Sequence, residues 1–173
     1  VMASYTYDEM SRLLYLENRN LTDNSLVSSY SYDLDAAGNR LAVTEHTGRK
    51  VEYAYDPLYR LLQEKILDDG VTVTDTIHYT YDGVGNRLTK TDNSATINYS
   101  YDANDRLLSA GGTTFTYDAN GNTLTRSNGG ATIFYSYDYE NRLTEVDEPA
   151  VGLIAYTYDS GGNRLAKGDS QGI

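Results

Sequence analysis

The chain has 173 residues, enough for one ordinary domain, and 39% of them are hydrophobic. Its net charge of −11 argues against a nucleic-acid partner, which would need a basic surface, and against an anionic membrane surface. The chain contains no cysteine and no long apolar run, so its sequence predicts neither a disulfide framework nor a membrane span.

One motif recurs eight times along the chain. The motif is the dipeptide Tyr-Asp with an aromatic residue two positions before its tyrosine. That aromatic residue is Phe115 in one copy and tyrosine in the others. The period of about 22 residues is typical of repeat architectures, so we interpret 1–173 as a single array of eight repeats. In chain order, the dipeptides are Tyr7-Asp8, Tyr32-Asp33, Tyr55-Asp56, Tyr81-Asp82, Tyr101-Asp102, Tyr117-Asp118, Tyr137-Asp138 and Tyr158-Asp159.

The copies alternate between two forms. Odd copies read Tyr-Asp-x-x-x-Arg-Leu, and their arginines are Arg12, Arg60, Arg106 and Arg142. Even copies carry Gly-Asn after the Tyr-Asp, as in Gly85-Asn86-Arg87, Gly121-Asn122 and Gly162-Asn163-Arg164. The second copy has two extra residues before Gly38-Asn39, and the sixth has Thr123 in place of the arginine. The alternation suggests that the structural unit is a pair of repeats.

Each copy predicts a β-hairpin. In 97–101, apolar and polar residues alternate with period 2, which is typical of a half-buried strand. Asp-x-x-Gly-Asn is rich in turn formers, and Arg-Leu then opens a second strand. The same logic predicts strands at 10–17 and 60–67, the two stretches that most resemble helices. The fold class is therefore all-β, an antiparallel meander of up to about sixteen short strands in a curved sheet.

The alternation also predicts an aromatic face. Tyr99 and Tyr101 lie on one side of their strand, and Ser100 lies on the other. Repeated along the array, this gives a double column of rings whose cross-strand pairs each contribute roughly 0.2–1 kcal/mol. Tyrosine suits a face that is apolar at the ring and hydrated at the hydroxyl.

Two segments carry a resemblance to a known family. Tyr81-Asp82-Gly83-Val84-Gly85-Asn86-Arg87-Leu88 and Tyr158-Asp159-Ser160-Gly161-Gly162-Asn163-Arg164-Leu165 resemble the YD repeat, also called the RHS repeat. This family includes bacterial polymorphic toxins, the C components of insecticidal toxin complexes and the teneurins. The resemblance implies a β-sheet that spirals into a hollow shell, which encloses a toxic C-terminal domain in bacterial members.

The resemblance does not extend to every family feature. The Asp-Pro-x-Gly segment that ends the shell in bacterial members is missing, and no variable toxin domain follows the last repeat. Self-cleavage and toxicity are therefore not carried over to this chain. In teneurins the shell is part of an adhesion ectodomain.

The candidate site residues are those of the motif, and we predict a structural role for them. Each Asp is expected to cap its own turn and to meet the following Arg, rather than to bind calcium or a sugar. His46 and His78 stand alone, and 33–39 lacks the closing Glu of a calcium loop, so no catalytic residue, metal or cofactor is predicted. The motif residues are Tyr7, Asp8, Tyr32, Asp33, Tyr55, Asp56, Tyr81, Asp82, Gly85, Asn86, Arg87, Tyr101, Asp102, Arg106, Tyr117, Asp118, Gly121, Asn122, Tyr137, Asp138, Arg142, Tyr158, Asp159, Gly162, Asn163 and Arg164.

These observations predict a non-enzymatic segment of a β-shell in a secreted or cell-surface bacterial protein. Its expected partners are the neighbouring repeats of the parent shell and an enclosed cargo or toxin domain. Because neither end resembles a cap, we expect a fragment of a longer array, and open sheet edges allow self-association. The alternative is a carbohydrate- or protein-binding adhesion module that uses exposed tyrosines.

Overall fold

The computed structural model describes residues 1–169, and all the regular elements in that range are β-strands. The predicted all-β meander is confirmed, and the helix-like stretches at 10–17 and 60–67 lie in turns and strands. None of the described residues forms a helix suited to crossing a bilayer. The strands are β1 (Met2–Tyr7), β2 (Leu13–Arg19), β3 (Leu26–Leu34), β4 (Arg40–Glu45), β5 (Lys50–Tyr55), β6 (Leu61–Leu67), β7 (Val73–Tyr81), β8 (Arg87–Thr91), β9 (Thr96–Tyr101), β10 (Leu107–Ala110), β11 (Thr113–Tyr117), β12 (Thr123–Asn128), β13 (Ala131–Tyr137), β14 (Leu143–Glu148), β15 (Gly152–Tyr158) and β16 (Arg164–Asp169).

The chain divides into two compact units, Val1–Thr96 and Ile97–Ile173. The first unit contains β1 to β8, and the second contains β10 to β16 and nearly all of β9. Within each unit, consecutive strands pair in antiparallel fashion, so the spatial order of the strands is their order in the chain. This is the arrangement that a series of hairpins with short turns produces.

A β-bulge occurs at the same place in every copy of the motif. In the sixth copy, Tyr117 pairs with Thr123 and Thr116 with Thr125, which leaves Leu124 without a partner in the ladder. A bulge bends the strand that carries it and increases the local twist. The skipped residues are Leu14, Leu41, Leu62, Leu88, Leu108, Leu124, Thr144 and Leu165.

The two faces of the strands differ in exposure. In β9, Tyr99 and Tyr101 are half-buried and Ser100 is exposed, as the alternation predicts. We call the side of Tyr99 and Tyr101 the aromatic face. On the opposite face, hydroxyl pairs join neighbouring strands, with Ser100 and Ser109 2.6 Å apart, and Thr116 and Thr125 also 2.6 Å apart.

Little of the chain is fully buried. Its accessible surface is 11,054 Å², against about 8,400 Å² for a compact monomer of 19.2 kDa. Among the described residues, the strands of each unit contact only their neighbours in sequence, so neither unit packs a second layer on its sheet. The most buried side chains are Ala42, Val51, Leu67, Tyr79 and Ser29.

Candidate functional site

The turns of the odd copies are built around one carboxylate. Asp102 Oδ1 accepts hydrogen bonds from the backbone N–H groups of Asn104 and Arg106, at 2.9 and 3.0 Å. Its Oδ2 accepts a third from Arg106 Nε at 2.6 Å. Asp105 adopts the left-handed conformation with φ of 60°, which lets the chain reverse within the turn. A single side chain therefore satisfies two backbone donors and one guanidinium.

The same arrangement recurs in the other odd copies. The carboxylate accepts from the arginine Nε four residues later, and the residue before that arginine has a φ of 61°. The carboxylate is never more than about a fifth exposed. The pairs are Asp8–Arg12 at 2.6 Å, Asp56–Arg60 at 2.6 Å and Asp138–Arg142 at 2.7 Å, with Ser11, Tyr59 and Asn141 in the left-handed conformation.

The turns of the even copies replace the guanidinium with a neutral amide. Asp118 Oδ1 accepts from the backbone N–H groups of Asn120 and Asn122, at 2.9 and 2.8 Å. Its Oδ2 accepts from Asn122 Nδ2 at 2.9 Å. Gly121 has a φ of 89°, a conformation that glycine adopts without steric cost. Asp82–Asn86 and Asp159–Asn163 repeat these bonds, with Gly85 and Gly162 in the glycine position.

The sequence prediction was wrong for the second copy. It placed the turn at Tyr32-Asp33 and expected Asp33 to cap it. The turn carboxylate is Asp35, which accepts from the backbone N–H and the side-chain amide of Asn39, both at 2.8 Å. Asp33 lies in β3 opposite Ala42. The carboxylate must lie four residues before the asparagine to reach both donors, and Asp33 lies two residues too early. The two extra residues therefore lengthen the strand.

The arginines of the odd copies link one copy to the next. Arg60 Nη1 donates to the Asp82 carbonyl at 2.9 Å, and its guanidinium carbon lies 5.1 Å from the ring centroid of Tyr81. The Tyr81 hydroxyl in turn donates to the Leu61 carbonyl at 2.8 Å. Arg106 with Tyr117 and Leu107, and Arg142 with Tyr158 and Leu143, form the same set with centroid distances of 5.1 Å.

The arginines of the even copies have a different partner. Each lies over an aromatic ring of its own copy in the cation–π arrangement, and that ring belongs to the residue three before the turn Asp. The pairs are Arg40 with Tyr32 at 4.8 Å, Arg87 with Tyr79 at 5.7 Å and Arg164 with Tyr156 at 5.6 Å. The two sequence forms thus correspond to two roles of arginine.

Sequence reasoning missed the carbonyl acceptors of the tyrosine hydroxyls. In the copies that show this bond, the donor is the second aromatic residue, as with Tyr55, which donates to the Arg40 carbonyl at 2.9 Å. The signal was present in the sequence, because the second aromatic position is always tyrosine, whereas the first is Phe115 in one copy. A position that tolerates phenylalanine does not need a hydroxyl.

The hydrogen bonds determine the electrostatics of the turns. The backbone N–H of Arg106 is the largest influence lowering the pKa of Asp102, and the Arg106 guanidinium adds to it. The Asn122 amide is the main cause of the lowered pKa of Asp118. Both carboxylates are therefore ionised at neutral pH. In contrast, burial and a hydrogen bond to Glu64 raise the pKa of the Tyr79 hydroxyl.

Across residues 1–169, no three His, Asp or Glu side chains are grouped so as to hold a metal ion. His78 lies beside the Gln63 amide, 3.4 Å from its nitrogen, and the backbone N–H of His46 donates to Ser29. The motif residues are distributed along the array, and each set of contacts joins a turn to its own strand or to the next copy.

Comparison with protein families matches residues 37–173 to the model described as Teneurin YD-shell. No curated protein sequence matches the chain. Similar solved structures include the Photorhabdus luminescens Tc holotoxin pore with mutated TccC3, at 18% identity and a TM-score of 0.63, over 98% of this chain and 11% of that chain. TcdB2-TccC3-Cdc42 gives 18% identity and a TM-score of 0.62 over 99% and 12%. At these identities the likeness concerns the fold, and the chain spans about a tenth of the length of those proteins.

Proposed function

The chain belongs to the Teneurin YD-shell family, and from that premise we propose that it is a non-enzymatic structural segment of a YD shell. Its strands form part of the wall around a cargo domain of the parent protein, which is secreted or displayed at the cell surface. The chain itself supplies the barrier, and the cargo supplies the biological activity.

One observation carries the proposal: the motif residues bind the next copy instead of converging on one place. Arg60 contacts both the Asp82 carbonyl and the Tyr81 ring, and Tyr81 returns a hydrogen bond to Leu61. Side chains therefore fasten consecutive hairpins together beyond the backbone ladder. A catalytic site requires the opposite, that nucleophile, base and oxyanion donors meet around one reacting atom.

The exposure of the strands also supports a wall. In each unit the strands form a single layer, and the tyrosines of the aromatic face are half-buried in strands such as β9 and β15. A surface of apolar rings with polar hydroxyls can border either protein or water. The similar solved chains come from toxin complexes, which favours a toxin as the cargo.

The same contacts weigh against a sugar-binding platform. Among the described residues, six tyrosine rings have an arginine guanidinium within 5.7 Å of their centroids. A ring that is already covered by a cation offers less free surface on which a sugar could stack. We therefore do not propose the adhesion alternative.

The test is limited proteolysis of the parent protein, in which mass spectrometry monitors the cleavage of the cargo domain over time. We expect the cargo to resist protease in the native protein and to become sensitive when Arg60→Ala and Arg106→Ala are combined. Arg126→Ala removes an arginine outside the motif and serves as the matched control. Cargo cleaved in the native protein as fast as free cargo would refute enclosure.

A second measurement separates this proposal from a binding module. Light scattering coupled to size exclusion of the 173-residue chain should show assemblies that grow with concentration, because open strand edges pair with one another. A monomer at all concentrations, together with saturable changes in tyrosine fluorescence upon addition of one glycan class, would favour the adhesion alternative instead.

A further inference from the structure

A cleft of about 390 Å³ opens in the first unit, where the repeat pattern is broken. It is lined by residues of the first three copies, among them Arg12, Leu13, Leu34, Arg40 and Tyr55. Its volume lies within the range of pockets that bind small ligands.

One lining residue, Leu34, departs from the repeat pattern. Leu34 pairs with Arg40, and in the fourth copy Tyr81 pairs with Arg87 in the same register. Leu34 therefore holds the position before the turn Asp that a tyrosine holds in the fourth, sixth and eighth copies. The shift of the turn from Asp33 to Asp35 replaces a phenol ring with a shorter aliphatic side chain.

The groups that surround this ring in other copies remain in place in the second. Arg12 Nε donates to Asp8 at 2.6 Å and its Nη1 to the Asp35 carbonyl at 2.9 Å. The corresponding bonds of Arg60, to Asp56 and Asp82, have the same lengths of 2.6 and 2.9 Å. The guanidinium of Arg12 is thus held as that of Arg60 is, and the residue at the position of the ring is Leu34, which lines the same cleft.

The hydrogen-bond acceptor is also retained. The carbonyls of Leu61, Leu107 and Leu143 each accept a tyrosine hydroxyl from the following copy, at 2.7 to 2.8 Å. The equivalent carbonyl in the first copy belongs to Leu13. Leu13 lines the cleft, and Leu34 stands where the tyrosine donor would be. The cleft therefore presents a cation for the face of a ring and an acceptor for a hydroxyl group.

We propose that this cleft is a binding site for a para-substituted phenol. The ring lies against the guanidinium of Arg12, and its hydroxyl donates to the Leu13 carbonyl. The chain itself supplies the evidence, because the same framework holds a phenol ring in three other copies, with a guanidinium 5.1 Å from the ring centroid. The ligand is either a free phenol or the tyrosine side chain of another polypeptide.

The first experiment compares p-cresol with 4-methylanisole, which has the same ring but no hydroxyl donor, by calorimetry and ligand-observed NMR on the 173-residue chain. We expect p-cresol to bind about fivefold more tightly, the effect of one hydrogen bond. Equal affinities, or no binding of p-cresol up to its solubility limit, would overturn the proposal.

The second experiment fills the cleft from within. Leu34→Tyr should abolish p-cresol binding and raise Tm by about 2–4 °C, because its ring restores the missing contacts. Leu88→Tyr adds the same ring at a bulge position outside the cleft and should leave binding unchanged. Leu34→Phe fills the cleft without a hydroxyl and should also abolish binding. Undiminished binding of p-cresol to folded Leu34→Tyr or Leu34→Phe would contradict the proposal.

The source of the phenol is distinguished with N-acetyl-tyrosinamide. If this compound binds and loses affinity in Leu34→Tyr, the site accepts a tyrosine side chain from a polypeptide. If only p-cresol binds, the site accepts a free phenol. Both results keep the cleft as a phenol site, and each identifies one class of ligand.

Discussion

The two units of the chain contain the same motif but stabilise it differently. Among the described residues, the most buried side chains, Val51, Leu67 and Tyr79 among them, all lie in the first unit. Its strands β3 and β7 have nine residues each, whereas no strand of the second unit exceeds seven. Longer strands leave fewer residues at strand ends, where cross-strand neighbours are missing. The most buried side chains therefore lie in the first unit, and the second unit depends more on its turn contacts.

The first aromatic position of the motif, compared between the fourth and the eighth copy, shows this difference between the units. Tyr79 is 8% exposed, and its hydroxyl donates to the Glu64 carboxylate. In the eighth copy the same position is Tyr156, and the residue that corresponds to Glu64 is Val146, which offers no acceptor. Both rings have an arginine nearby, Arg87 at 5.7 Å and Arg164 at 5.6 Å. The shared motif thus accounts for the cation–π contact, and the irregular sequence adds the buried hydrogen bond.

Acid should have the largest effect, because it titrates all the turn carboxylates at once. Their folded-state pKa values are lowered, so the unfolded chain binds more protons and stability falls as pH decreases below the usual value of 3.8. Asp69 and Asp92, both in the first unit, have pKa values lowered to about 2 by hydrogen bonds from the backbone and from Thr72 and Ser94. Their contribution should persist until pH approaches 2.

Hydrogen exchange between pH 5 and pH 2 measures this effect in each unit separately, and a ¹³C NMR titration of the carboxyl groups assigns it to residues. We expect protection to decline in both units below about pH 4 and to persist longest at the turns of Asp69 and Asp92. Protection that does not change over the whole range would show that the carboxylates do not stabilise the turns.

Leu67→Ala should show the difference between the units most clearly among single substitutions. Leu67 is 7% exposed, and truncating a buried leucine costs about 2–5 kcal/mol of unfolding free energy. Leu124→Ala is the matched control in the second unit, because Leu124 is 39% exposed and should cost less than about 1 kcal/mol. Urea denaturation followed by circular dichroism measures both, and equal losses would mean that burial does not distinguish the units.

Gly70→Ala tests a close approach of two turns in the first unit. Gly70 has a φ of +76°, and an added Cβ would lie 2.6 Å from the Gly48 carbonyl oxygen. We expect a loss of about 1–3 kcal/mol, from backbone strain together with this clash. Gly121→Ala in the second unit has a φ of +89° but no atom within 4 Å of the new Cβ, so it should lose only about 1 kcal/mol. If thermal melts show the same loss of stability for both variants, the contact with the Gly48 carbonyl does not contribute to the loss in Gly70→Ala.

Asp102→Ala should give the smallest effect, a modest decrease in Tm. It removes three hydrogen bonds from one turn, but the turn is solvated and water can replace them. Asp118→Ala is the matched variant for a turn closed by asparagine, and it should behave similarly. A ligand affinity lost in Asp102→Ala without any change in melting would show instead that the carboxylate is a binding residue.

Much of the fold could be predicted from the sequence because the motif is local. A carboxylate four residues before an arginine or asparagine, with a left-handed residue between them, closes the turn within five residues, as at Asp102–Arg106 and Asp118–Asn122. The period-2 alternation in 97–101 likewise places Tyr99 and Tyr101 on one face. These features depend only on residues that lie within about five positions of one another in the sequence.

The second copy shows where local reasoning fails. The dipeptide Tyr32-Asp33 matches the motif as well as any other copy does, yet the turn forms at Asp35, because that aspartate has the correct distance to Asn39. The shift also places Leu34, a residue that lines the cleft, where the fourth copy has Tyr81. The sequence does show two extra residues before Gly38-Asn39. It does not show whether they lengthen the strand or the turn of the second copy.

The sequence by itself determined the number of hairpins, the turns of every copy but the second and the side of the strand on which the tyrosines lie, because each depends on residues within one copy. Only the tertiary structure decided the bulge at the second residue of each outgoing strand, the ring that each arginine covers and the carbonyl that each tyrosine hydroxyl reaches. Those contacts depend on the register between strands, and that register is set by how adjacent copies pair and pack.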